Sequence, residues 1–263
     1  MDLARLDENR IRAGLKDRVK VSVLEEIDST STEARRRLMA GLRQPALILS
    51  EAQTAGRGRM GHTFYSPKQD GIYMSLVFPA DDFNAELFRV TAKAAVAVFR
   101  GVKQSTGIDL SIKWVNDLCI GNEKVAGILT ECVAIPEKWF IIGIGINVTT
   151  TKFPSDLIGK ARSLNPLREG MDETLAGAMP DRNEIVIAVI GELLSELLKP
   201  EDRSYLETYR AQSNVIGREI VYGTEKTGIA TGIDDEGKLV VRTPEGREEL
   251  LDSGEIRVRI IES

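Results

Sequence analysis

One histidine, His62, and two cysteines, Cys119 and Cys132, occur in the 263 residues. A zinc site of the usual Cys/His type draws on about four such ligands, so none is expected here. A Ser-His-Asp or Cys-His mechanism would have to use that single imidazole. The cysteines stand in apolar surroundings at no metal-binding spacing, a usage that suits a reducing cytoplasm. No apolar run reaches the length of about 18 residues that a membrane span needs. The opening stretch MDLARLDENRIRAGLKDRV mixes both charge signs without an apolar segment, so it does not read as a secretory signal. A basic excess is also missing: 35 Lys and Arg stand against 40 Asp and Glu, for a net charge of −5. Bulk attraction to nucleic acid or to anionic lipid, which rests on phosphate neutralisation, is therefore not expected. There is no internal repeat and no low-complexity tract.

The chain does have 42% hydrophobic and 29% charged residues, enough for one substantial core and a small appended module. Residues 1–19 read as a short charged helix or a ragged N-terminal arm, too short for a helix-turn-helix domain. Val19–Ile27 reads as a strand and Thr32–Gly41 as a helix, with Thr30 and Glu33 at capping-box spacing. Strands follow at Ala46–Ser50 and Ile72–Phe78, separated by a glycine-bearing loop with no helical period. Loops of that length within compact domains are usually functional or mobile. The three- and four-residue steps of Leu87, Thr91, Ala94, Val98 and Val102 predict a helix over Asn84–Thr106. Three strands are expected at Leu110–Ile120, Lys124–Val133 and Trp139–Val148, with helices at Asn183–Leu198 and Ser204–Gln212. After Gly217 the texture becomes short alternating β segments divided by Asp235-Glu236-Gly237 and Pro244-Glu245-Gly246 turns, as in a small barrel. The expected class is α+β: a mixed or antiparallel sheet with flanking helices over 20–213, then a β module over 214–263 that docks on it.

Gly56-Arg57-Gly58-Arg59-Met60-Gly61 satisfies G-x-G-x-x-G literally. The dinucleotide motif needs a helix to open at its last glycine, so that the helix N-terminus holds pyrophosphate. Here His62-Thr63-Phe64-Tyr65-Ser66-Pro67 follows, and no helix can start there. What the loop offers is two always-charged, bidentate donors on a pliant backbone, suited to an anion held by a closing segment. A solvated loop with weak surface ion pairs is the plainer alternative.

On a continuous strand over Leu110–Ile120, Lys113, Val115 and Asp117 would share one face and Trp114 and Asn116 the other. That places a lysine and a carboxylate at a core border, as a surface pair or as part of a cleft. Lys124 opens the next strand, with Gly127 at a place of close backbone approach. In the third strand, Ile142, Ile144 and Ile146 share a packed face, while Gly143 and Gly145 leave the opposite face bare between Ile141 and Asn147. Interior strand glycine calls for a reason, either tight packing or something flat against the backbone, such as a purine ring.

The order Asp28-Ser29-Thr30, EAQTAGRGRMGHTFYSP, IKWVNDL, KVAGIL and GIGINV resembles the catalytic region of biotin–protein ligases. The C-terminal GREIVYG, GIATGIDDEGKLVV and SGEIRVR segments are similar to that family's SH3-like barrel, so the likeness covers roughly residues 20–263. The family has a class II synthetase-like catalytic domain that binds biotin and ATP. It implies a two-step ligase reaction: ATP and biotin give biotinyl-5′-adenylate, and a lysine of a biotin carboxyl carrier protein, as in acetyl-CoA carboxylase, takes the biotinyl group. Lipoate ligases and octanoyltransferases are the nearest alternative, and a non-catalytic biotin-sensing or carrier-binding protein is the other.

The resemblance assigns Ser29, Thr30, Ser31 and Gln53 to biotin's ureido ring, with Thr30 still open as a helix cap. Gly56, Arg57, Gly58 and Arg59 match the loop over the valeryl chain and carboxylate. Lys124, beside Gly127, matches the lysine that bridges carboxylate and α-phosphate. Lys113 is implied as a phosphate contact, and Asp117 as the group orienting a lysine or a hydrated Mg²⁺. Phe64, Asn116, Gly143, Gly145 and Asn147 fall on the nucleotide side, together with Arg59. Mg²⁺ is implied as ATP's companion, held mainly by phosphate oxygens rather than by protein ligands. Many relatives carry arginine and tryptophan where His62 and Phe64 stand; histidine brings less positive charge at pH 7, and phenylalanine lacks the indole donor. Relatives that repress transcription carry a DNA-binding domain that residues 1–19 cannot supply, so a ligase without repressor activity is expected. The resemblance allows a homodimer, and no exposed apolar stripe in the sequence calls for one.

Overall fold

The computed structural model describes residues 5–80, 87–165, 181–252 and 258–261. Seven strands form the main sheet: β1 (Lys20–Leu24), β2 (Ala46–Ser50), β3 (Gly71–Pro79), β4 (Ser111–Lys113), β5 (Asp117–Ile120), β6 (Glu123–Ala134) and β7 (Lys138–Asn147). Their spatial order is β1-β2-β3-β7-β6-β5-β4. The β1–β2 pair is parallel and the other neighbours are antiparallel. Sheet and helices thus match the expected mixed α+β class.

Among the described residues five α-helices accompany the sheet: α1 (Glu8–Gly14), α2 (Thr30–Met39), α3 (Leu87–Thr106), α4 (Arg182–Leu197) and α5 (Tyr205–Ala211). Both faces of the sheet are buried, but unequally. On one face Met74, Leu76, Ile142, Ile144 and Ile146 join the buried sides of α3 and α4 in the main core. On the other, Ala34 and Leu38 of α2 cover Ala46, Ile48, Val77 and Ile141 in a smaller cluster. Cover by α2 ends near its own N-terminus. Beyond it, the glycine face of β7 is left for the site.

Two expectations are corrected. The span Leu110–Ile120 is not one strand: β4 and β5 pair antiparallel, with Lys113 opposite Asp117, so the chain reverses over Trp114–Asn116. Alternation therefore does not apply over Trp114–Asn116, where Asn116 sits in a turn, while Lys113 and Asp117 still share a face as direct cross-strand partners. Of the two readings of the N-terminal segment, the ragged arm is the one overturned: a short helix forms over Glu8–Gly14. Leu6, Ile11 and Leu15 are buried in the main core, and Asp7 caps α1 by accepting a hydrogen bond from the Arg10 amide. The charged residues of that segment lie on its outer side, which is why the composition concealed its apolar stripe. The expected start of α3 at Asn84 lies outside the described residues.

Strands β8 (Glu219–Tyr222), β9 (Lys226–Ile233), β10 (Leu239–Arg242), β11 (Glu248–Leu251) and β12 (Val258–Ile260) form the antiparallel C-terminal module, in the order β11-β10-β9-β8-β12. Ile220, Tyr222, Ala230, Ile233, Leu239 and Val241 are continuous with the main core, so the module is docked, as its small size requires. No helix among the described residues is long and apolar enough to cross a membrane.

Candidate active site

A cleft with about 430 Å³ of space opens on the glycine face of β7, between the N-terminus of α2 and the 52–70 loop. Its walls bring together Ser29, Thr30, Ser31, Gln53, Arg57, Gly58, Arg59, Phe64, Asn116, Lys124, Gly127, Gly143 and Gly145 from four separated stretches of chain. Every one of these was singled out from sequence.

The deep end is a chain of hydroxyls. Ser29 is the residue that caps α2, so Thr30 lies inside the first turn and the expected Thr30–Glu33 capping box does not form. Glu33 instead pairs with Arg36 and Arg37. Released from capping, the Thr30 hydroxyl donates to Gln53 Oε1 at 3.2 Å, and the Thr30 amide donates to the same oxygen at 2.8 Å. Thr30 Oγ1 and Ser75 Oγ are 2.9 Å apart, and Ser31 Oγ lies 3.0 Å from Ser75 Oγ. Gln53 Nε2 completes the chain by donating to Ser66 Oγ at 2.9 Å. Ser75 is fully buried on β3 directly opposite Gly143, and a Cβ on Gly143 would lie 2.7 Å from Ser31 Oγ. Glycine at 143 is thus what admits the hydroxyl cluster.

Farther along β7 the bare face is covered by this protein's own aromatic ring rather than by open space. A Cβ at Gly145 would lie 2.6 Å from Phe64 Cε1. Lys124 Nζ is 6.0 Å from the centre of the same ring and forms an ion pair with Asp117 Oδ1 at 2.6 Å. Gly127 makes room for that lysine, since a Cβ there would be 2.7 Å from its Nζ. Backbone bonds on either side of Lys124, from its amide to the Lys160 carbonyl and from the Arg162 amide to its own carbonyl, hold the strand end in place.

The two loop arginines differ. Arg59 lies in the short 3-10 turn Arg59–Gly61 and reaches across the cleft to Asn116 Oδ1 at 3.2 Å. Burial lowers the pKa of its guanidinium, and the charge of Asp117 partly offsets this. Asn116 Nδ2 in turn donates to the Ile128 carbonyl at 2.9 Å. Arg57 is on the wall, but its two terminal nitrogens engage Glu131 at 2.9 and 3.0 Å, and Arg35 joins the same carboxylate at 3.1 Å. The anion that Arg57 holds in this structure is the protein's own.

Several candidates lie off the cleft wall. Lys113 ends β4 outside it, and Asp117 stands one step behind Lys124. Asn147 is buried and donates to the Arg162 carbonyl at 3.2 Å, so it ties down the 161–165 segment. Gly56 serves the loop's own packing: a Cβ there would meet the Phe64 carbonyl at 2.4 Å. Sequence reading missed Ser75, Ser66 and Glu131. Ser75 had a signal, as the one serine inside the apolar run Ile72–Phe78. Glu131 had none, because its role depends on a loop that joins it only in three dimensions.

No side chain here is set up as a nucleophile. Cys119 is buried and its thiol is pushed up to about 11, chiefly by burial, far from the thiolate that nucleophilic chemistry needs. Among the described residues no group of three or more His, Cys, Asp or Glu is placed to hold a metal. The arrangement offers instead a polar end rich in hydroxyls, a cationic middle and an aromatic side, a layout for joining two bound molecules by positioning and charge.

Residues 23–148 match the Biotin/lipoate A/B protein ligase family, and residues 215–259 match the Biotin protein ligase C terminal domain. The Bacillus subtilis bifunctional ligase/repressor BirA is 32% identical over 260 residues, covering 92% of this chain and 76% of that protein. The Mycobacterium tuberculosis biotin–[acetyl-CoA-carboxylase] ligase is 28% identical over 248 residues, covering 90% of this chain and 88% of that one. The Aquifex aeolicus biotin protein ligase solved in complex with biotin and ATP superposes with a TM-score of 0.77 at 27% identity, over 92% of this chain and 99% of that chain. The hydroxyl chain, the cationic centre and the glycine-floored slot thus sit on a shared architecture that extends through the C-terminal module, and the chain belongs to the biotin protein ligase family.

Proposed function

We propose that the protein is an ATP-dependent ligase that activates biotin as biotinyl-5′-adenylate and transfers it to a lysine of an apo biotin carboxyl carrier protein, in the cytoplasm. The observation that carries this reading is the convergence of Lys124, Arg59 and the Thr30 and Ser31 hydroxyls on one cleft in a member of this family. Hydroxyls both accept and donate, so they suit a ureido group, whose N–H and C=O need opposite partners. The cationic middle suits two anions that must approach each other. A carboxylate oxygen of biotin attacks the α-phosphorus of ATP, the bond to the bridging oxygen breaks, and pyrophosphate leaves. The carrier's neutral lysine amine then attacks the acyl carbon; an amide forms, AMP leaves, and the amine gives up a proton. Lys124 and Arg59 lower the repulsion in the first step and stabilise charge on the α-phosphate as it develops. Mg²⁺ bound with ATP would neutralise phosphate charge and would draw on few protein ligands, since the carboxylates beside the cleft, Asp117 and Glu131, are already paired to Lys124 and Arg57.

Offering the purified protein biotin and lipoate, each with its own apo-carrier and ATP, tests this reading. The expected result is a mass gain on the biotin carrier alone; label on the lipoyl carrier alone would overturn it, as would biotin binding without pyrophosphate release. Arg59→Gly removes the one guanidinium that spans from the loop to Asn116. The expected outcome is faster escape of the adenylate and stray labelling of lysines on bystander proteins, read by blotting for biotin in a mixture. Wild-type selectivity at equal turnover would show that this arginine does not retain the intermediate.

A further inference from the structure

The hairpin that carries Asn116 and Asp117 is held from outside the cleft by the C-terminal module. Trp114, at its turn, is 5% exposed, and its indole Nε1 donates to the carbonyl of Gly237 at 3.0 Å. The next residue is gripped from α5, where the buried Tyr209 hydroxyl donates to the Val115 carbonyl at 2.8 Å. Arg210, adjacent to Tyr209, binds the same turn of the module through the Ile233 carbonyl at 2.7 Å and Asp235 Oδ1 at 2.7 Å. The turn has its own internal brace: Asp234 Oδ1 accepts from the amides of Glu236 at 3.0 Å and Lys238 at 2.8 Å. Gly237 has φ +86°, and any Cβ there would overlap the Phe88 ring, which packs edge-on against Tyr209 at 5.9 Å. Two amino acids beyond Trp114, Asn116 receives Arg59 and pairs its backbone with Ile128, and Asp117 holds Lys124.

We propose that the Asp234–Lys238 turn positions the Lys124–Asp117 pair and Arg59 through Trp114, which makes Trp114 and Asp234 positioning residues for adenylate formation. The inference rests on the ligase reading above. A displacement of the hairpin moves the carboxylate that orients Lys124 and the amide that receives Arg59 together, while the hydroxyl end of the cleft, built on α2 and β3, stays where it is. The signature is therefore a fall in kcat for the first half-reaction with little change in KM for biotin, since positioning of charge is felt mainly in the transition state.

Three variants of the full chain test this. Trp114→Phe keeps a buried ring and removes the N–H donor. Asp234→Ala unbraces the turn on the surface side, and Asp234→Asn keeps a side-chain oxygen as acceptor. Biotin- and ATP-dependent pyrophosphate release is expected to lose about tenfold in kcat in Trp114→Phe and about threefold in Asp234→Ala, with KM for biotin within about twofold. Asp234→Asn is expected to restore the wild-type rate. Amide hydrogen exchange at 117–119 is expected to speed up in the two impaired variants and to stay unchanged in β1 and β2. Wild-type kcat in both Trp114→Phe and Asp234→Ala, or a lower kcat with unchanged exchange at 117–119, overturns the proposal. If Trp114→Phe does not fold, the Asp234 pair decides alone. A wild-type protein that releases no pyrophosphate would defeat the ligase reading, whereas the exchange measurement would still accept or reject the coupling.

Discussion

Lys124→Ala lowers biotinyl-adenylate formation by about a hundredfold or more and leaves the fold intact. Removing one preorganised electrostatic contact to a charge that develops in the transition state typically loses about 10²–10³ in kcat. The structure separates that loss from any loss of folding. The Lys124 side chain is 33% exposed, and what ties its strand down is backbone bonding to Lys160 and Arg162, which an alanine keeps. Alanine leaves the buried Asp117 Oδ1 without its partner, which costs about 1–3 kcal/mol and lowers the stability without abolishing the fold. Pyrophosphate release and a urea titration, run on the same preparation, check both halves of the statement. Wild-type turnover would remove Lys124 from the chemistry, and a collapsed urea midpoint would show that the side chain is structural.

Arg182→Met has the opposite profile: a large loss of stability without contact with the reacting groups. Arg182 Nη1 lies 2.7 Å from Glu51 Oε2, and the two side chains are 0% and 2% exposed. Arg182 also donates to the Gly71 carbonyl at 3.1 Å, while Glu51 Oε1 accepts the Leu6 amide at 2.8 Å. One buried pair therefore joins the N-terminal segment, the end of β2, the start of β3 and α4. Removing one partner strands a carboxylate in the core, and such changes destabilise by about 3–5 kcal/mol. With total stabilities of about 5–15 kcal/mol for folded domains, the variant is expected to show a greatly reduced urea midpoint. Adding Glu51→Gln removes the stranded charge and is expected to recover part of the loss. A midpoint within about 0.5 kcal/mol of wild type, the range of an ordinary surface change, would mean the pair is not a brace.

Both residues illustrate unequal legibility. Lys124 was readable because its motif context and its place at a strand start are local. Glu51 and Arg182, 131 positions apart, showed nothing in sequence: an Arg at a helix start and a Glu after a strand are ordinary surface choices. The same contrast holds within the cleft. The glycines of β7 announced a face without side chains of its own, and it is Ser31 at Gly143 and the flat Phe64 ring at Gly145 that occupy it. Arg57 was readable as an anion binder, but Glu131 was not readable as its anion. Lys113 and Asp117 were assigned one face by strict alternation and do share one, but as partners across a hairpin rather than along one strand, because the chain turns back over Trp114–Asn116.

The amphipathic period of α3 and α4, the apolar run of β2, the Ile/Gly alternation of β7 and the order of the family's motifs are local, so the chain of letters alone settled them. The burial of the N-terminal stripe, the reversal at Trp114–Asn116, the Glu51–Arg182 brace and the meeting of Ser75 with Thr30 and Ser31 were decided only in three dimensions. Each of these depends on which distant segments pair and in what register. That choice minimises the free energy of the whole packed chain, and no single window of sequence contains it.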